Sequence, residues 1–183
     1  MSKVTVIGGG AWGSALASVL AGQDHDVTVL VRRQDMADAL MKGISPRLDN
    51  QPITVPRLAT TDAAKALTGA DAVLVTVGVA SVYDLAPRYL ANRGKVVMVG
   101  MPHFGQMASY SPLLMADMGQ SIVGSKMGDV VIKRDIPWMV DLYNQGRLKL
   151  DELITGRWQL EQVNEAIADT MAGHARRNVI VFK

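Results

Sequence analysis

The sequence contains no cysteine and only three histidines, which lie far apart at His25, His103 and His174. The absence of cysteine excludes disulfide bonds and thiolate chemistry, and three scattered histidines do not form a zinc ligand set. We therefore expect no metal ion. Charged residues make up 20% of the chain and the formal net charge is +2. That charge is too small to indicate binding to nucleic acid or to a membrane surface.

Charged residues are also scarce near the start of the sequence. The 183 residues, 49% of them hydrophobic, fit one domain of ordinary size or a domain with an appendage. The stretch Val4–Gln23 is uncharged and superficially resembles a signal peptide or a membrane span. Three glycines interrupt it after a short strand-like run, and a second strand-like run follows at Asp26–Val31. We therefore expect a soluble, cytoplasmic protein.

The glycines follow the first β-branched run in the order typical of a dinucleotide-binding loop. Gly8 permits the tight turn, Gly10 leaves space for a pyrophosphate, and Gly13 lets the following helix lie close to the strand. The phosphates would bind the free N–H groups and the positive end of that helix. The alternative is a plain strand–turn–helix that has glycines for packing. The predicted cofactor-binding residues of this loop are Gly8, Gly10, Ala11, Trp12 and Gly13.

Short β-branched runs alternate with longer helical patterns along the chain, and several runs are apolar throughout, as in parallel strands buried on both faces. We therefore predict an α/β fold, a Rossmann-type doubly wound parallel sheet of order 3-2-1-4-5-6, with a C-terminal helix and strand appendage. The proline-rich stretch Ile44–Pro56 is predicted to be a loop. The predicted strands are Lys3–Ile7, Asp26–Val31, Arg57–Ala59, Ala72–Thr76, Lys95–Val99 and Ser121–Gly124. The predicted helices are Ala11–Ala21, Gln34–Lys42, Asp62–Leu67, Ser81–Ala91, Ser111–Asp117 and Ile136–Gln145.

The residues after the second predicted strand bear on the choice of cofactor. An acidic residue at this place normally holds the adenosine ribose of NAD. This chain has Arg32 and Arg33 there, with Asp35 already beyond the strand. Two guanidinium groups favour a ribose phosphate, so we predict NADP in preference to NAD. The alternative is a solvated turn without a role in binding.

Two parts of the sequence resemble two different dehydrogenase families. The first, through about Val77, resembles the N-terminal part of the NAD(P)-dependent glycerol-3-phosphate dehydrogenases. Its motifs are Val6–Ala17, Pro46-Arg47 and Ala59–Val75. The second, from about Ala72 to the end, is similar to the C-terminal part of zinc-dependent, medium-chain alcohol dehydrogenases of the glutathione-dependent formaldehyde dehydrogenase type. Its motifs are Gly94–Pro102, Ile122–Gly128, Arg134–Pro137, Asp141–Ile154 and Leu160–Ile167.

We interpret the chain as an engineered chimera, with one mononucleotide-binding half from each family joined near residues 75–80. Both halves would donate parallel strands with right-handed crossovers to one sheet. Residues 1–150 would form the dinucleotide-binding domain, and residues 151–183 an appendage derived from the catalytic domain of the alcohol dehydrogenases. The resemblance implies that the catalytic groups of both families are missing, so we expect NAD(P) binding without catalysis.

Two alternatives stay open. One is an oxidoreductase whose new cleft recruits a small carbonyl or alcohol substrate. The other is a scaffold that demonstrates the fold and binds no ligand. His103, in the loop Met101–Gly105, is the one residue considered as a proton shuttle, and its plainer interpretation is a surface-loop histidine.

The resemblance to the alcohol dehydrogenases implies further cofactor contacts. In that family, backbone at the carboxyl ends of the later strands lines the nicotinamide pocket, and an arginine reaches the pyrophosphate. Arg177 matches that arginine, and the alternative is that it is a solvated charge before an edge strand. The matching residues are Val77, Gly78, Val99, Gly100, Met101, Gly124, Ser125 and Arg177.

The same resemblance implies a homodimer and two C-terminal strands without their usual partners. In that family, the segment that matches Ser121–Gly124 pairs with its copy across a two-fold axis, so we expect a homodimer. We expect Thr155–Trp158 and Asn178–Phe182 to pair with each other or with the main sheet, with Leu160–Met171 helical. Helix-compatible spacing predicts core packing for Trp158, Val163, Ile167 and Met171.

Overall fold

The computed structural model describes residues 1–182, and the chain divides after Gly128 into two compact units. Sequence reasoning places the boundary later, after residue 150. The helix between the two positions therefore belongs to the second unit in the structure. No helix among the described residues is long and apolar enough to cross a membrane.

The first unit contains a six-stranded parallel sheet and a short antiparallel hairpin. Its strands are β1 (Lys3–Ile7), β2 (Asp26–Leu30), β3 (Ile44–Ser45), β4 (Gln51–Pro52), β5 (Leu58–Thr60), β6 (Ala70–Val75), β7 (Leu90–Met98) and β8 (Ser121–Gly124). The sheet order is β5-β2-β1-β6-β7-β8, and β3 pairs with β4 in the hairpin. Counted along the chain, the six sheet strands have the order 3-2-1-4-5-6, so the predicted topology is confirmed.

Helices cover both faces of this sheet. They are α1 (Ala11–Ala21), α2 (Gln34–Met41), α3 (Ala63–Leu67), α4 (Ala80–Leu85) and α5 (Pro112–Asp117). Alternate residues of a strand point to opposite faces. Val6 accordingly packs in a cluster with Ala17 of α1 and Leu40 of α2, whereas Ile7 packs with Leu67 of α3 on the other face. Strands β1 and β6 are the two middle strands of the sheet, and helices pack on both faces, which is the arrangement of a doubly wound fold.

The predicted loop Ile44–Pro56 contains the hairpin of β3 and β4, and the helix predicted after β6 is shorter than expected. The helix predicted over Ser81–Ala91 ends at Leu85 and continues as a 3₁₀ turn over Ala86–Tyr89. Pro87 explains the change, because proline lacks the N–H group that an α-helix uses for its hydrogen bonds along the chain. Strand β7 then begins at Leu90, five residues before the predicted start, with a register shift against β6.

The second unit combines two helices with a pair of parallel strands. Its elements are α6 (Ile132–Asn144), β9 (Ile154–Trp158), α7 (Val163–Met171) and β10 (Arg177–Ile180). Strand β10 pairs with β9, so the expectation that the two C-terminal strands pair with each other is confirmed. Helix α6 begins four residues before the predicted Ile136, where the carboxylate of Asp135 accepts a hydrogen bond from Val131 N at 2.7 Å.

The predicted core packing of α7 is wrong for the residues of its apolar row. Val163, Ile167 and Met171 are all exposed, the last of them to 83%. The helix instead turns Ala166 and Thr170 towards β10, where Asn178 Nδ2 donates to Ala166 O at 3.0 Å and to Thr170 Oγ1 at 3.1 Å. Within the described part of this unit, Ala166 is the one buried hydrophobic residue. The face of α7 that lies towards β10 is therefore the one that Asn178 contacts through hydrogen bonds.

Candidate functional site

The predicted cofactor residues of the first unit follow the carboxyl ends of four neighbouring strands. The glycine loop follows β1, Arg32 and Arg33 follow β2, Val77 and Gly78 follow β6, and Val99 to Met101 follow β7. These strands are parallel, so their carboxyl ends lie at one edge of the sheet. The strand order reverses direction between β1 and β6, and ligands of open α/β sheets bind at such a switch point.

The glycine loop connects β1 tightly to the N-terminus of α1. Gly8 has φ +115°, a conformation that residues with a side chain rarely adopt, and its N–H donates to Leu30 O at 2.9 Å. A Cβ placed on Gly13 would overlap the carbonyl oxygen of Gly8. Gly10 differs from both, because a Cβ placed there would meet no heavy atom within 4 Å. Gly8 and Gly13 therefore serve the turn, whereas Gly10 borders open space.

The start of α1 offers unpaired hydrogen-bond donors beside that open space. The N-cap residue is Gly10, which has no side chain to satisfy them, and the first turn contains no acidic residue. Ala11 and Trp12 are exposed at this end, and residue Trp12 is 61% accessible. The first N–H groups of a helix lack intrahelical partners and carry the positive end of its dipole. This arrangement fits an anion such as a pyrophosphate.

Thr76 supports the glycine loop from the end of the neighbouring strand, a role that sequence reasoning missed. Its hydroxyl donates to Ile7 O at 2.8 Å, and its backbone N–H donates to the same oxygen at 3.0 Å. A Cβ on Gly8 would lie 2.6 Å from Thr76 Oγ1, and one on Gly13 would lie 2.9 Å from it. The only sequence signal was a threonine at the carboxyl end of a strand.

The structure also brings together the loops that follow β6 and β7. A Cβ on Gly78 would overlap the carbonyl oxygen of Met101, and one on Gly100 would lie 2.5 Å from Val77 C. The N–H groups of Val99 and Gly100 both donate to Val75 O, at 3.0 and 2.8 Å. Such a close approach of two backbones leaves main-chain groups, rather than long side chains, to line this part of the edge.

Tyr83 of α4 holds one of these loops in place. Its hydroxyl donates to Gly100 O, and the side chain is buried in the core cluster on that face of the sheet. Burial raises the pKa of Tyr83 above its ordinary value. The hydroxyl therefore stays protonated near neutral pH and keeps its role as a donor. Sequence reasoning assigned Tyr83 only to a helix.

The two arginines after β2 differ in their surroundings. Arg33 pairs with Asp35 side-on, with Nε donating to Oδ1 at 2.9 Å and Nη2 donating to Oδ2. The guanidinium lowers the pKa of Asp35, and the carboxylate raises the pKa of Arg33. Arg32 is exposed and has no hydrogen-bond or ion-pair partner among residues 1–182. The pair and the free arginine lie next to the glycine loop, since a Cβ on Gly9 would contact Val31 and Met36, which flank them.

The remaining candidate residues lie in a loop, after strand β8 and at the start of strand β10. His103 is exposed in its loop, and its carbonyl oxygen accepts a hydrogen bond from Gln106 N at 3.1 Å. Ser125 follows Gly124 at the end of β8, and its backbone N–H donates to Met98 O at 2.9 Å. Arg177 begins β10 in the second unit, and its contact with a pyrophosphate stays a prediction. Residues 1–182 contain no cluster of three or more His, Cys, Asp or Glu side chains that could hold a metal ion.

Comparison with known proteins gives two family matches. The family of the NAD-dependent glycerol-3-phosphate dehydrogenase N-terminus matches residues 3–101, and the zinc-binding dehydrogenase family matches residues 53–181. The resemblances to a glycerol-3-phosphate dehydrogenase and to a zinc-binding dehydrogenase are thereby confirmed at the level of these two families. The two matches overlap over residues 53–101, a wider region than the predicted join near residues 75–80.

Individual relatives show the same division. A glycerol-3-phosphate dehydrogenase [NAD(P)+] of Bacillus pumilus is 38% identical over 90 residues, which are 48% of this chain and 26% of that protein. A geraniol dehydrogenase of Castellaniella defragrans is 33% identical over 184 aligned residues, covering 98% of this chain and 48% of that protein. The chain thus spans half or less of the length of these relatives.

A solved structure supports the fold independently. The alcohol dehydrogenase zinc-binding domain protein from Burkholderia ambifaria superposes with a TM-score of 0.67 at 23% identity, over 100% of this chain and 49% of that one. This likeness agrees with the Rossmann-type sheet described above. On the strength of the two family matches, the chain belongs to the NAD-dependent glycerol-3-phosphate dehydrogenases in its N-terminal part and to the zinc-binding dehydrogenases from residue 53 onward.

Proposed function

We propose that this chain binds NADP or NAD at the carboxyl edge of its sheet, as the cofactor-binding part of a dehydrogenase. The observation that carries the proposal is the N-terminus of α1, where Gly10 borders open space and the helix has no side-chain cap. A pyrophosphate would accept hydrogen bonds from the first N–H groups of the helix, with Gly8, Ala11, Trp12 and Gly13 forming the rest of the loop. Membership of two dehydrogenase families supports this assignment.

The other parts of the cofactor would follow the same edge. Arg32 and Arg33 would face the adenosine ribose, and the guanidinium of Arg32, which has no partner among residues 1–182, supports NADP. The backbone of Val77, Gly78 and Val99 to Met101 would border the nicotinamide, with Tyr83 and Thr76 fixing the loops. A bound dinucleotide supplies a hydride, or accepts one, at its nicotinamide ring. The chain's own contribution is to bind and orient that ring.

We further propose that the chain is an engineered join of two dehydrogenase halves without turnover of its own. The two family matches begin and end at different places, which supports a join. Hydride transfer also needs a substrate held against the nicotinamide and a group that moves a proton. The exposed His103 is the one candidate for that group, and its imidazole has no hydrogen-bond partner among residues 1–182 that would position it. Oxidoreductase activity is the second candidate function, since a geraniol dehydrogenase aligns over 98% of the chain.

A homodimer through β8 is part of the same proposal. Strand β8 is the last in the sheet order, and within residues 1–182 it pairs with β7 alone. Its other edge presents unpaired backbone groups, which a second copy could satisfy in a continuous sheet. Ser125 N donates to Met98 O of β7, so the N–H of Val123 also faces β7 and that of Ile122 faces the free edge. Sedimentation of the protein with and without an Ile122→Pro substitution would test this, since proline removes a donor from the free edge.

The cofactor proposal is tested by titrating the protein with NADPH and NADH while following nicotinamide fluorescence. The decisive variant is Gly10→Val. Gly10 has φ −67° and ψ 177°, an ordinary extended conformation, and its Cβ position is open. We therefore expect this variant to fold normally and to lose at least tenfold in affinity, because the side chain would fill the space of the pyrophosphate.

The matched control is Gly22→Ala, at the opposite end of the same helix. It should leave both affinities unchanged. Millimolar dinucleotide without any signal from the parent protein would overturn the proposal, as would equal binding by Gly10→Val. Cofactor oxidation in the presence of a panel of aldehydes and ketones would contradict the absence of turnover and favour the second candidate function.

A further inference from the structure

Arg33 and Asp35 form a bidentate pair at the place where a dinucleotide-binding fold distinguishes its cofactors. The Nε–Oδ1 contact of 2.9 Å and the second contact through Nη2 engage one whole side of the guanidinium. Both side chains are largely accessible, the arginine to 71% and the carboxylate to 63%. The pair is therefore not buried structure, and a ligand that arrives at this edge can reach it.

The position of the pair follows from the glycine loop. A Cβ on Gly9 would lie 2.6 Å from Val31 Cγ1 and 3.1 Å from Met36 Cγ. Val31 and Met36 are the residues that flank the Arg32–Asp35 turn, so the turn lies beside the loop that would hold the pyrophosphate. Asp35 also belongs to the first turn of α2, where the helix dipole favours a negative charge.

We infer that Asp35 is the specificity-determining residue of the cofactor site, and that it opposes NADPH by occupying Arg33. This inference rests on the proposed function and sharpens it. A ribose phosphate that approaches Arg33 meets a guanidinium already engaged by a carboxylate, and it is repelled by that carboxylate's charge. A ribose diol carries no charge and can donate hydrogen bonds to the same carboxylate, as NAD does with acidic residues in this fold.

Arg32 and Arg33 therefore have unequal roles. Arg32 has no partner among residues 1–182 and is available to a phosphate, whereas Arg33 becomes available only when Asp35 releases it. Counting arginines in the sequence overestimates the preference for NADPH, because one of the two is neutralised by its neighbour. The relative affinity for NADPH and NADH therefore depends on Asp35, a residue that lies beyond the end of the strand in the sequence pattern.

The test is the ratio of the dissociation constants for NADPH and NADH in Asp35→Asn. We expect this variant to shift the ratio about tenfold towards NADPH, the effect of one charge-assisted hydrogen bond becoming free at an exposed site. In the double variant Arg33→Gln, Asp35→Asn, we expect the gain to disappear, because the guanidinium that provides it is gone.

The matched control is Asp38→Asn, which removes the same charge from the same helix. Asp38 accepts a hydrogen bond from Gln34 Nε2 at 2.8 Å, and its carboxylate does not contact Arg33. An equal shift in Asp38→Asn would show a general effect of charge and overturn the inference. An unchanged ratio in Asp35→Asn, or a gain that persists without Arg33, would also overturn it. If the parent protein binds neither dinucleotide, the proposed function fails and this inference fails with it, whereas binding with an unchanged ratio refutes this inference alone.

Discussion

The chain up to Met98 and the chain after it differ sharply in how they bury apolar side chains. The first region contains every buried hydrophobic residue of the described chain except Ala166. The second region is just as rich in large apolar residues, but it leaves many of them exposed, such as Phe104, Leu113, Trp138 and Ile167. Strands β1, β2 and β6 are covered on both faces by helices, whereas β9 and β10 form a sheet of only two strands.

An apolar sequence pattern therefore predicts which face of a helix or strand can be buried. Whether that face is buried depends on a second element that packs against it. In the first region, the helix that connects one parallel strand to the next packs on the sheet and buries its apolar face. In the second, α7 shows the same periodicity, yet its row of Val163, Ile167 and Met171 stays exposed. Removing a side chain should therefore have very different consequences in the two regions.

The largest loss of stability is expected for Leu67→Ala in the first region. Leu67 is fully buried in the cluster between α3, α4 and the sheet. Its truncation leaves a cavity and should lower the free energy of unfolding by about 2 to 5 kcal/mol. Urea denaturation followed by circular dichroism would measure it. A decrease in the free energy of unfolding below about 1 kcal/mol would mean that the side chains of this core are packed no more closely than those of the second region.

The next largest effect is expected at the glycine loop, where two glycines with similar sequence signals differ in surroundings. Gly13→Ala places a Cβ against the carbonyl oxygen of Gly8, so β1 and α1 must move apart. This overpacking should cost about 1 to 3 kcal/mol. Gly10→Ala is the control, since its Cβ position is open, and its change should stay within about 0.5 kcal/mol. Equal melting temperatures for the two variants would contradict the description of the loop.

A smaller effect is expected at the boundary between the two regions. Tyr83→Phe removes the hydroxyl that donates to Gly100 O and should lower the free energy of unfolding by about 1 kcal/mol at neutral pH. Because the folded protein raises the pKa of Tyr83, this stabilisation is complete below the ordinary value of 10.0 and is lost as pH rises through the folded pKa. Unfolding measured near neutral pH and above pH 10 should therefore show a difference between parent and variant that narrows at high pH. A constant difference would exclude the hydrogen bond as its cause.

The sequence predicts features that depend on local patterns, and it does not predict contacts between residues that are distant along the chain. The helix Ala11–Ala21 and the strand Ser121–Gly124 have the bounds that the pattern predicts, and the strand order is as expected. These features depend on local periodicity and on general rules of chain connection. Thr76 was missed because its hydroxyl binds Ile7 O, 69 residues away in the sequence, and such a contact leaves no local pattern.

The pair of Arg33 and Asp35 was missed for a different reason. The two residues are two positions apart, so the sequence showed both, but the interpretation depended on which residue ends the strand. In the structure, β2 ends at Leu30 and Arg33 is the N-cap of α2, which brings the guanidinium against the carboxylate of the first helical turn. A pattern that counts charges near a strand end cannot tell a free charge from a neutralised one.

The smallest effect is expected for Ile167→Ala on the exposed row of α7. The side chain is 51% accessible, so truncation removes little buried surface and should change stability by less than about 0.5 kcal/mol. Trp158 lies in β9 of the same unit and would report its unfolding by fluorescence once Trp12 and Trp138 are replaced by phenylalanine. The neighbouring Ala166→Leu is the positive control, because Ala166 is buried and overpacking should cost about 1 to 3 kcal/mol. A loss near 2 kcal/mol for Ile167→Ala would show that another surface covers this row in solution. The second region would then differ from the first because the structure lacks that surface, and not because its side chains pack more weakly.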